Sequence, residues 1–378
     1  MNILISGASV AGPALAYWLN RYGMRTTIVE RAETVRPGGL AVDFRGTAMR
    51  VLEQMGILDE LRAHATHSGD STVVDADGKR IATMPGEIFA GDLEVLKTDL
   101  TRILYDLTKN DTEYVFGDSV TALTQDAAGV RVEFERGTRR TFDLVIGADG
   151  LHSTVRELAF GPKDRFTHPM GYAFATFSTV NYLNLDRTGM SHVSGDRSLN
   201  VFASNDNADA RVMFMFPAQD VPRNREAQLA AVHEAFGHVG WEAPNLLKAM
   251  PAVTDFYFDE LSQITMPTWS SGRVALVGDA GYCASPMSGR GTSQALLGAY
   301  VLAGELSTQD DHETAFAEYE RALRDYVAAT HAMGRQARDS FTIPPSQELF
   351  DAILAASTGE FSPDNVTLKD YAENLTVR

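Results

Sequence analysis

The segment Gly7-Ala8-Ser9-Val10-Ala11-Gly12 stands between a short apolar run, Asn2 to Ile5, and an apolar-periodic stretch, Ala11 to Tyr22. No other feature restricts the fold as strongly. A glycine-rich turn in that place needs a buried strand feeding directly into a helix, with a second strand, Arg25 to Glu30, returning beside the first. Such a βαβ opening belongs to doubly wound sheets, where backbone N–H groups at the helix N-terminus can hold a pyrophosphate. Ser9 replaces the usual central glycine, the smallest change that still permits close approach, although its Cβ and hydroxyl take up room beside the phosphates. Glu30 ends the second strand, where a carboxylate can accept bonds from both hydroxyls of an adenosine ribose, and Arg31 follows it as a further cofactor candidate.

Two other readings use the same residues. A tight strand-to-helix turn with a solvated Glu30 requires no ligand at all. Gly7-Ala8-Ser9-Val10-Ala11 is also one residue short of the Gly-x-Ser-x-Gly elbow of hydrolases, but no earlier strand is present to supply a second oxyanion donor.

The chain has 378 residues, enough for two domains with separate cores, and 44% hydrophobic with 22% charged residues is ordinary globular usage. With 33 basic against 50 acidic side chains the net charge is −17, which repels phosphate backbones and anionic bilayers. Neither nucleic acid nor membrane is an expected partner. Cys283 is the single cysteine, so no internal disulfide can form, and no Cys/His cluster at ligand spacing supports a metal. Ile3 to Leu19 lacks a basic flank and is interrupted by Pro13, which argues against a signal peptide or a spanning helix. A cytoplasmic monomer is the expectation.

Further along, Arg31 to Gly46 contains Pro37, Gly38 and Gly39 and reads as a functional loop, followed by one helical stretch from Thr47 to Ala63. Asp75-Ala76-Asp77-Gly78 mimics the start of a calcium loop, yet lies between Ser71–Val74 and Lys79–Thr83 as an ordinary hairpin turn. Asp99 to Lys109 is helical, and Val130 to Glu135 alternates and feeds the run Phe142 to Ala148, both read as strands. Tyr172 to Val180 and Arg211 to Phe216 are further strands; on the latter, Arg211, Met213 and Met215 share one face and Val212, Phe214 and Phe216 the other. One of those faces should line a pocket. Arg273 to Val277 is a strand; Thr292 to Leu306, Glu313 to Arg338 and Gln347 to Ala356 are helices, the last either packed plainly or docked over the pocket. The pattern predicts an α/β chain. Its Rossmann-like domain comprises residues 1–70, 97–165 and 267–330; a mostly β domain, residues 71–96 and 166–266, is inserted, and 331–378 form a C-terminal helical segment.

Two later motifs follow the first. Asp143 to Arg156 ends a strand in Asp149-Gly150 and opens a helix with Ser153 placed as its cap. Gly272 to Ala280 carries a strand into Gly278-Asp279-Ala280, with Pro286, Gly289 and Gly291 beyond it. With these three motifs in this order, the chain resembles the single-component FAD-dependent hydroxylases of the para-hydroxybenzoate hydroxylase type across nearly its whole length. A nearer likeness is carried by Gly38-Gly39-Leu40-Ala41-Val42-Asp43-Phe44-Arg45-Gly46, Asn181-Tyr182-Leu183, Asp255-Phe256-Tyr257-Phe258-Asp259 and Ala280-Gly281-Tyr282-Cys283-Ala284-Ser285-Pro286. Those segments look like the soil-derived tetracycline-inactivating monooxygenases.

The resemblance implies FAD as cofactor, with Gly7, Ser9 and Gly12 on the pyrophosphate, Glu30 on the adenine ribose, Asp43 facing the flavin and Asp279 accepting a bond from the ribityl chain. Pro286, Gly289 and Gly291 would form the flavin loop, at a helix whose positive end favours the charge of reduced flavin. Asp149 is associated with FAD and NADPH contacts, and Arg156 with anchoring its turn. Lys97 stands where the family usually has Arg, keeping the charge and losing the bidentate fork. Gly298 stands where many hydroxylases have Asp, a departure the tetracycline group shares. Arg197 and Met213 fall near substrate-contacting positions, with Met215, Pro286 and Met287 as further pocket candidates. NADPH or NADH would reduce the flavin, and a flavin hydroperoxide formed with O2 would hydroxylate an aromatic or polyketide substrate, so no side-chain triad is expected. Hydroxylation of a simpler phenol, a nicotinamide dehydrogenase without flavin, and a non-catalytic flavin-binding sensor are the alternatives. Cys283 is read as a small buried residue and not a nucleophile.

Overall fold

The computed structural model describes residues 1–35, 41–203, 208–219, 221–340, 343–357 and 364–371. Pro37, Gly38 and Gly39 of the expected loop lie outside them. The chain opens with β1 (Asn2–Ser6), α1 (Ala11–Arg21), β2 (Arg25–Glu30), β3 (Ala41–Phe44), α2 (Thr47–Gln54) and α3 (Leu58–Ala63). There follow β4 (Ser71–Val74), β5 (Arg80–Met84), α4 (Glu87–Ala90), β6 (Leu93–Leu96), α5 (Lys97–Thr108) and β7 (Thr112–Phe116). Next come β8 (Val120–Asp126), β9 (Gly129–Phe134), β10 (Arg140–Phe142), β11 (Leu144–Gly147), α6 (Thr154–Phe160) and β12 (Thr167–Val180). The second domain continues with β13 (Gly189–Ser194), β14 (Arg197–Ala203), β15 (Asp209–Pro217), α7 (Arg225–Phe236), α8 (Ala243–Ala249) and β16 (Tyr257–Ile264). The remainder is β17 (Ser270–Ser271), β18 (Val274–Leu276), α9 (Asp279–Tyr282), α10 (Gly291–Thr308), α11 (His312–Ser340) and α12 (Gln347–Ser357).

The first sheet runs β17-β18-β11-β1-β2-β7. β1 pairs in parallel with β2 on one side and β11 on the other, so the strand order reverses at β1. The crevice beyond the carboxyl end of β1, where Gly7 follows, is therefore the switch point at which such sheets bind ligands. Ile3, Leu4 and Ile5 are fully buried between α1 and the small β8-β9-β10 sheet, whose Val130, Val132 and Phe142 join the same core, and α1, packed against α10, is buried from Ala11 to Asn20.

The second sheet runs β16-β12-β15-β14-β13-β4-β5. Strand alternation parts its side chains into two sets. Phe177, Val212, Phe214 and Phe216 are buried together with Phe236 of α7 and Leu246 of α8. Phe174, Met213, Met215 and Leu261 form the opposite face and meet Met287 from the segment before α10. Helices α7 and α8 are thus the cover of the outer face, an element the strand pattern does not announce.

Further details differ from the expectations of the sequence. Thr47 to Ala63 is two helices because Gly56, at φ +74°, turns the chain between them. Phe142 closes β10 in a small antiparallel sheet while Leu144, beyond Asp143, opens β11 in the first sheet, so the one run serves two sheets. β6, expected in the inserted domain, pairs with β3, and its Leu93 and Val95 join the first domain's core. Helix α11 also passes unbroken through residue 331, and residues 364–371 form neither helix nor strand. The Asp75 turn is a hairpin turn, its carboxylate accepting from the Asp77 and Lys79 backbone at 3.0 and 2.8 Å. Among the described residues no helix is long and apolar enough to cross a membrane.

Candidate active site

At the switch point the two glycines are dictated by close approach. Gly7 has φ +109°, and a Cβ there would lie 2.5 Å from the Ala148 carbonyl oxygen; a Cβ at Gly12 would lie 2.0 Å from the Gly7 carbonyl oxygen. Only glycine fits either place. Helix α1 has no side-chain cap and no acidic residue in its first turn, which leaves its positive end to an anionic ligand. Ser9 is half-buried in this turn. Glu30 is held across it: Oε2 accepts the Ala8 N–H at 3.0 Å and Oε1 the Ala32 N–H at 2.9 Å. Arg31 is exposed immediately beyond.

Asp149 turns inward. Its carboxylate accepts from Ser153 Oγ at 2.5 Å and from the Thr154 and Val155 N–H groups at 2.9 and 3.1 Å. Burial pushes its pKa up, and those bonds oppose the shift. The side chain thus ties the end of β11 to the start of α6, and Ser153 caps that helix by accepting from Arg156 N at 3.0 Å. Arg156 is buried and donates from Nη1 to the Ala280 carbonyl at 2.8 Å and from Nη2 to the Leu151 carbonyl at 2.7 Å. It joins the second motif to the third.

The third motif meets the first at Gly278, where a Cβ would lie 3.2 Å from the Ala11 Cβ and 3.6 Å from that of Ala295. Asp279 begins α9 with its surface open to solvent; desolvation by the surrounding protein raises its pKa, while the Lys97 charge and the Cys283 thiol oppose this. Lys97 itself is exposed at the start of α5. A Cβ at Gly291 would stand 3.8 Å from Asp279 Oδ1, placing that carboxylate beside the first residue of α10. Helix α10 also has no side-chain cap and no acid in its first turn, a second open N-terminus. Ser285 at φ +73° and Gly289 at φ +61° bend the chain into it, around a short 3-10 turn from Pro286 to Ser288. Burial pushes the Cys283 thiol well up, which keeps it protonated and unreactive.

Asp43 lies near the same helix end. Arg45 Nε donates to its Oδ2 at 2.7 Å, and burial pushes the carboxyl up to about 6 against the opposing charges of Arg45 and Arg290. The side chain of Arg290 and its partner Asp364 are components the sequence reading missed. Arg290 is visible between two glycines, but Asp364 sits in no motif.

On the substrate side, Met213 and Met215 join Phe174, Leu261 and Met287 in one apolar wall. Pro286 is exposed at its edge. Arg197 pairs with Asp196 at 2.6 Å and is one third exposed (32%), close enough for its charge to act on the Tyr172 hydroxyl beside that wall. Arg211, farther along β15, is engaged with Ser178 Oγ at 2.5 Å and Asp255 Oδ2 at 3.2 Å. The geometry therefore gathers Gly7, Ser9, Gly12 and Glu30 at one end and Asp43, Asp279, Gly289 and Gly291 at the other. Asp149 adjoins the first end, its Cα 3.0 Å from where a Cβ of Gly7 would stand, with its carboxylate bonded to the start of α6.

Residues 1–339 match the model of the FAD-binding domain family. A flavin-dependent monooxygenase from an unknown prokaryotic organism is 42% identical over 347 residues, spanning 90% of either chain. The crystal structures of the tetracycline destructases Tet(55) and Tet(51) superpose with TM-scores of 0.89 and 0.86 at 38% and 36% identity. They cover 98% of this chain, and 98% and 99% of their own. The chain belongs to the FAD-binding family of flavin-dependent monooxygenases.

Proposed function

We propose that this monooxygenase hydroxylates a fused-ring polyketide of the tetracycline type, with NADPH or NADH as reductant. The observation that carries the reading is the apolar wall of Met213, Met215 and Phe174, which faces Met287 on the segment leading into α10. A broad, adaptable thioether surface suits a large polycyclic substrate better than a single phenol ring. The tetracycline destructases with which the chain shares its fold along almost its full length add support.

The residues present fit FAD. Two uncapped helix N-termini, the cradle that a Cβ at Gly7 or Gly12 would fill, and two placed carboxylates, Glu30 and Asp279, form the donor and acceptor set an extended dinucleotide requires. On this reading Gly7, Ser9 and Gly12 hold the pyrophosphate, Glu30 the ribose hydroxyls, Asp279 the ribityl chain, and the N-terminus of α10 the isoalloxazine end. Bound FAD supplies the electron transfer from NAD(P)H and the insertion of one oxygen atom from O2. The chain supplies position, a positive helix end for developing negative charge, and a dry wall that keeps water from the reacting face. Family membership sets aside the flavin-free dehydrogenase and the serine hydrolase. The same reading takes the enzyme as a cytoplasmic monomer.

Its test is substrate-stimulated NADPH and NADH oxidation across tetracyclines, anthracyclines and simple phenols, with product mass. Gain of one oxygen on a fused-ring compound is the expected result. Turnover confined to simple phenols would transfer the enzyme to the catabolic alternative, and no substrate stimulation at all would favour a flavin-binding sensor.

A further inference from the structure

Arg290 closes the turn before α10, and all three of its guanidinium nitrogens are engaged within the protein. Nε and Nη2 donate to Asp364 Oδ1 and Oδ2 at 3.1 and 2.9 Å, and Nη1 donates to the Ser288 carbonyl at 3.1 Å. Both charged side chains are more than nine-tenths buried, at 7% and 6% exposure. A bidentate pair of this kind fixes direction as well as charge.

Asp364 arrives on a strap. The carbonyls of Asp364 and Val366 accept from Thr47 N and Oγ1 at 2.9 and 2.8 Å, and the Lys369 carbonyl accepts from Tyr300 Oη at 3.0 Å. Tyr371 Oη donates to the buried Glu305 carboxylate at 2.7 Å. Residues 364–371 are thus tied to α2 and α10, although the shared FAD-binding domain ends at residue 339. The strap lies outside everything the family match describes.

The N-terminus of α10 is positive, and the Arg290 guanidinium adds to it. The Asp364 carboxylate cancels that addition. We propose that Asp364 is a positioning residue of the flavin site: it holds Arg290 at the N-terminus of α10 and, by neutralising it, sets the preference for reduced over oxidised FAD. This rests on the reading that α10 faces the isoalloxazine end. Reduction leaves the flavin more negative, so the compensation between Arg290 and Asp364 acts on the reduced form more than on the oxidised one.

The test is the midpoint potential of bound FAD, measured by dye equilibration in the wild-type holoenzyme and in Asp364→Asn, Arg290→Gln and Asp364→Glu. Asp364→Asn leaves an uncompensated guanidinium and should favour reduced over oxidised FAD about tenfold more, a rise of about 30 mV for a two-electron couple. Arg290→Gln leaves the carboxylate and should move the potential the opposite way, while Asp364→Glu keeps the charge and stays near wild type. Should Asp364→Asn fail to fold, Arg290→Gln decides by itself: a negative shift supports the proposal and an unchanged potential overturns it. FAD bound at the wild-type potential in both neutralising variants reduces Asp364 to a structural role and leaves the site reading intact. Wild-type protein that takes up no FAD overturns both.

Discussion

The ring of Tyr371 lies against Gly304 so closely that a Cβ at residue 304 would fall 2.3 Å from the ring Cδ2. Glycine at this helical position is therefore a condition for the strap to dock, and Glu305 beside it supplies the anchor. Burial raises the Glu305 carboxyl, but hydrogen bonds from Lys369, Gln309 and Tyr371 outweigh it and hold the group below its usual value.

Gly304→Ala is accordingly expected to expel the Tyr371 ring and cost about 1–3 kcal/mol, the usual range for an overpacked site. Hydrogen exchange at residues 364–371 should accelerate together with the loss of thermal stability. A variant with unchanged exchange there would show that the strap does not depend on this contact.

At the adenosine end, Glu30→Gln retains the shape and removes the charge. Hydrogen bonds to charged groups contribute about 1.5–3 kcal/mol, so FAD affinity should fall by roughly ten- to a hundredfold in a fluorescence titration. Gly12→Ala, whose Cβ collides with the Gly7 carbonyl, should retain no FAD on gel filtration. Ser9→Gly should bind at least as well as wild type, because it only removes atoms beside the phosphates.

His331 gives the pH dependence a definite sign. It is buried in α11 with Nε2 donating to the Tyr282 carbonyl at 3.1 Å; burial lowers its pKa, Arg335 and His168 lower it further, and the Tyr282 bond opposes. The unfolded chain therefore takes up this proton first, near pH 6.5. The contribution is complete above that value and is lost as pH falls through it toward the folded pKa. Urea unfolding at about pH 7.5 and about pH 5.5 should show a smaller acid loss in His331→Gln than in wild type.

Met213→Ala and Met287→Ala thin the wall without touching the cofactor set. Each removes about 1–2 kcal/mol of apolar contact, so KM for a fused-ring substrate should rise roughly fivefold to thirtyfold while kcat changes little. A fall in kcat at constant KM would place these residues against the reacting atoms instead.

Much of this arrangement was legible from local pattern. The β1 turn, the Ser153 cap and the two faces of β15 each follow from spacing within a few residues, and all three appear as read. Helix α7 was not, since its apolar residues are spread around the helix and no narrow stripe marks it. Its ends were nonetheless signalled by Asn224, whose side chain accepts from Ala227 N at 2.8 Å, and by Gly237. Gly56 likewise marked the break between α2 and α3. The inward turn of Asp149 could not be read from the motif, because it depends on Ser6 of β1 as well as on α6. Asp364 was invisible for a stronger reason: its partner lies 74 residues away and shares no motif with it.

Whether the chain holds FAD is read from the visible absorption spectrum of the purified protein after incubation with FAD and removal of excess. The two bands of bound oxidised flavin are expected at close to one FAD per chain, with loss of the bands in Gly12→Ala. A colourless wild-type protein that cannot be reconstituted with FAD would contradict the flavin site.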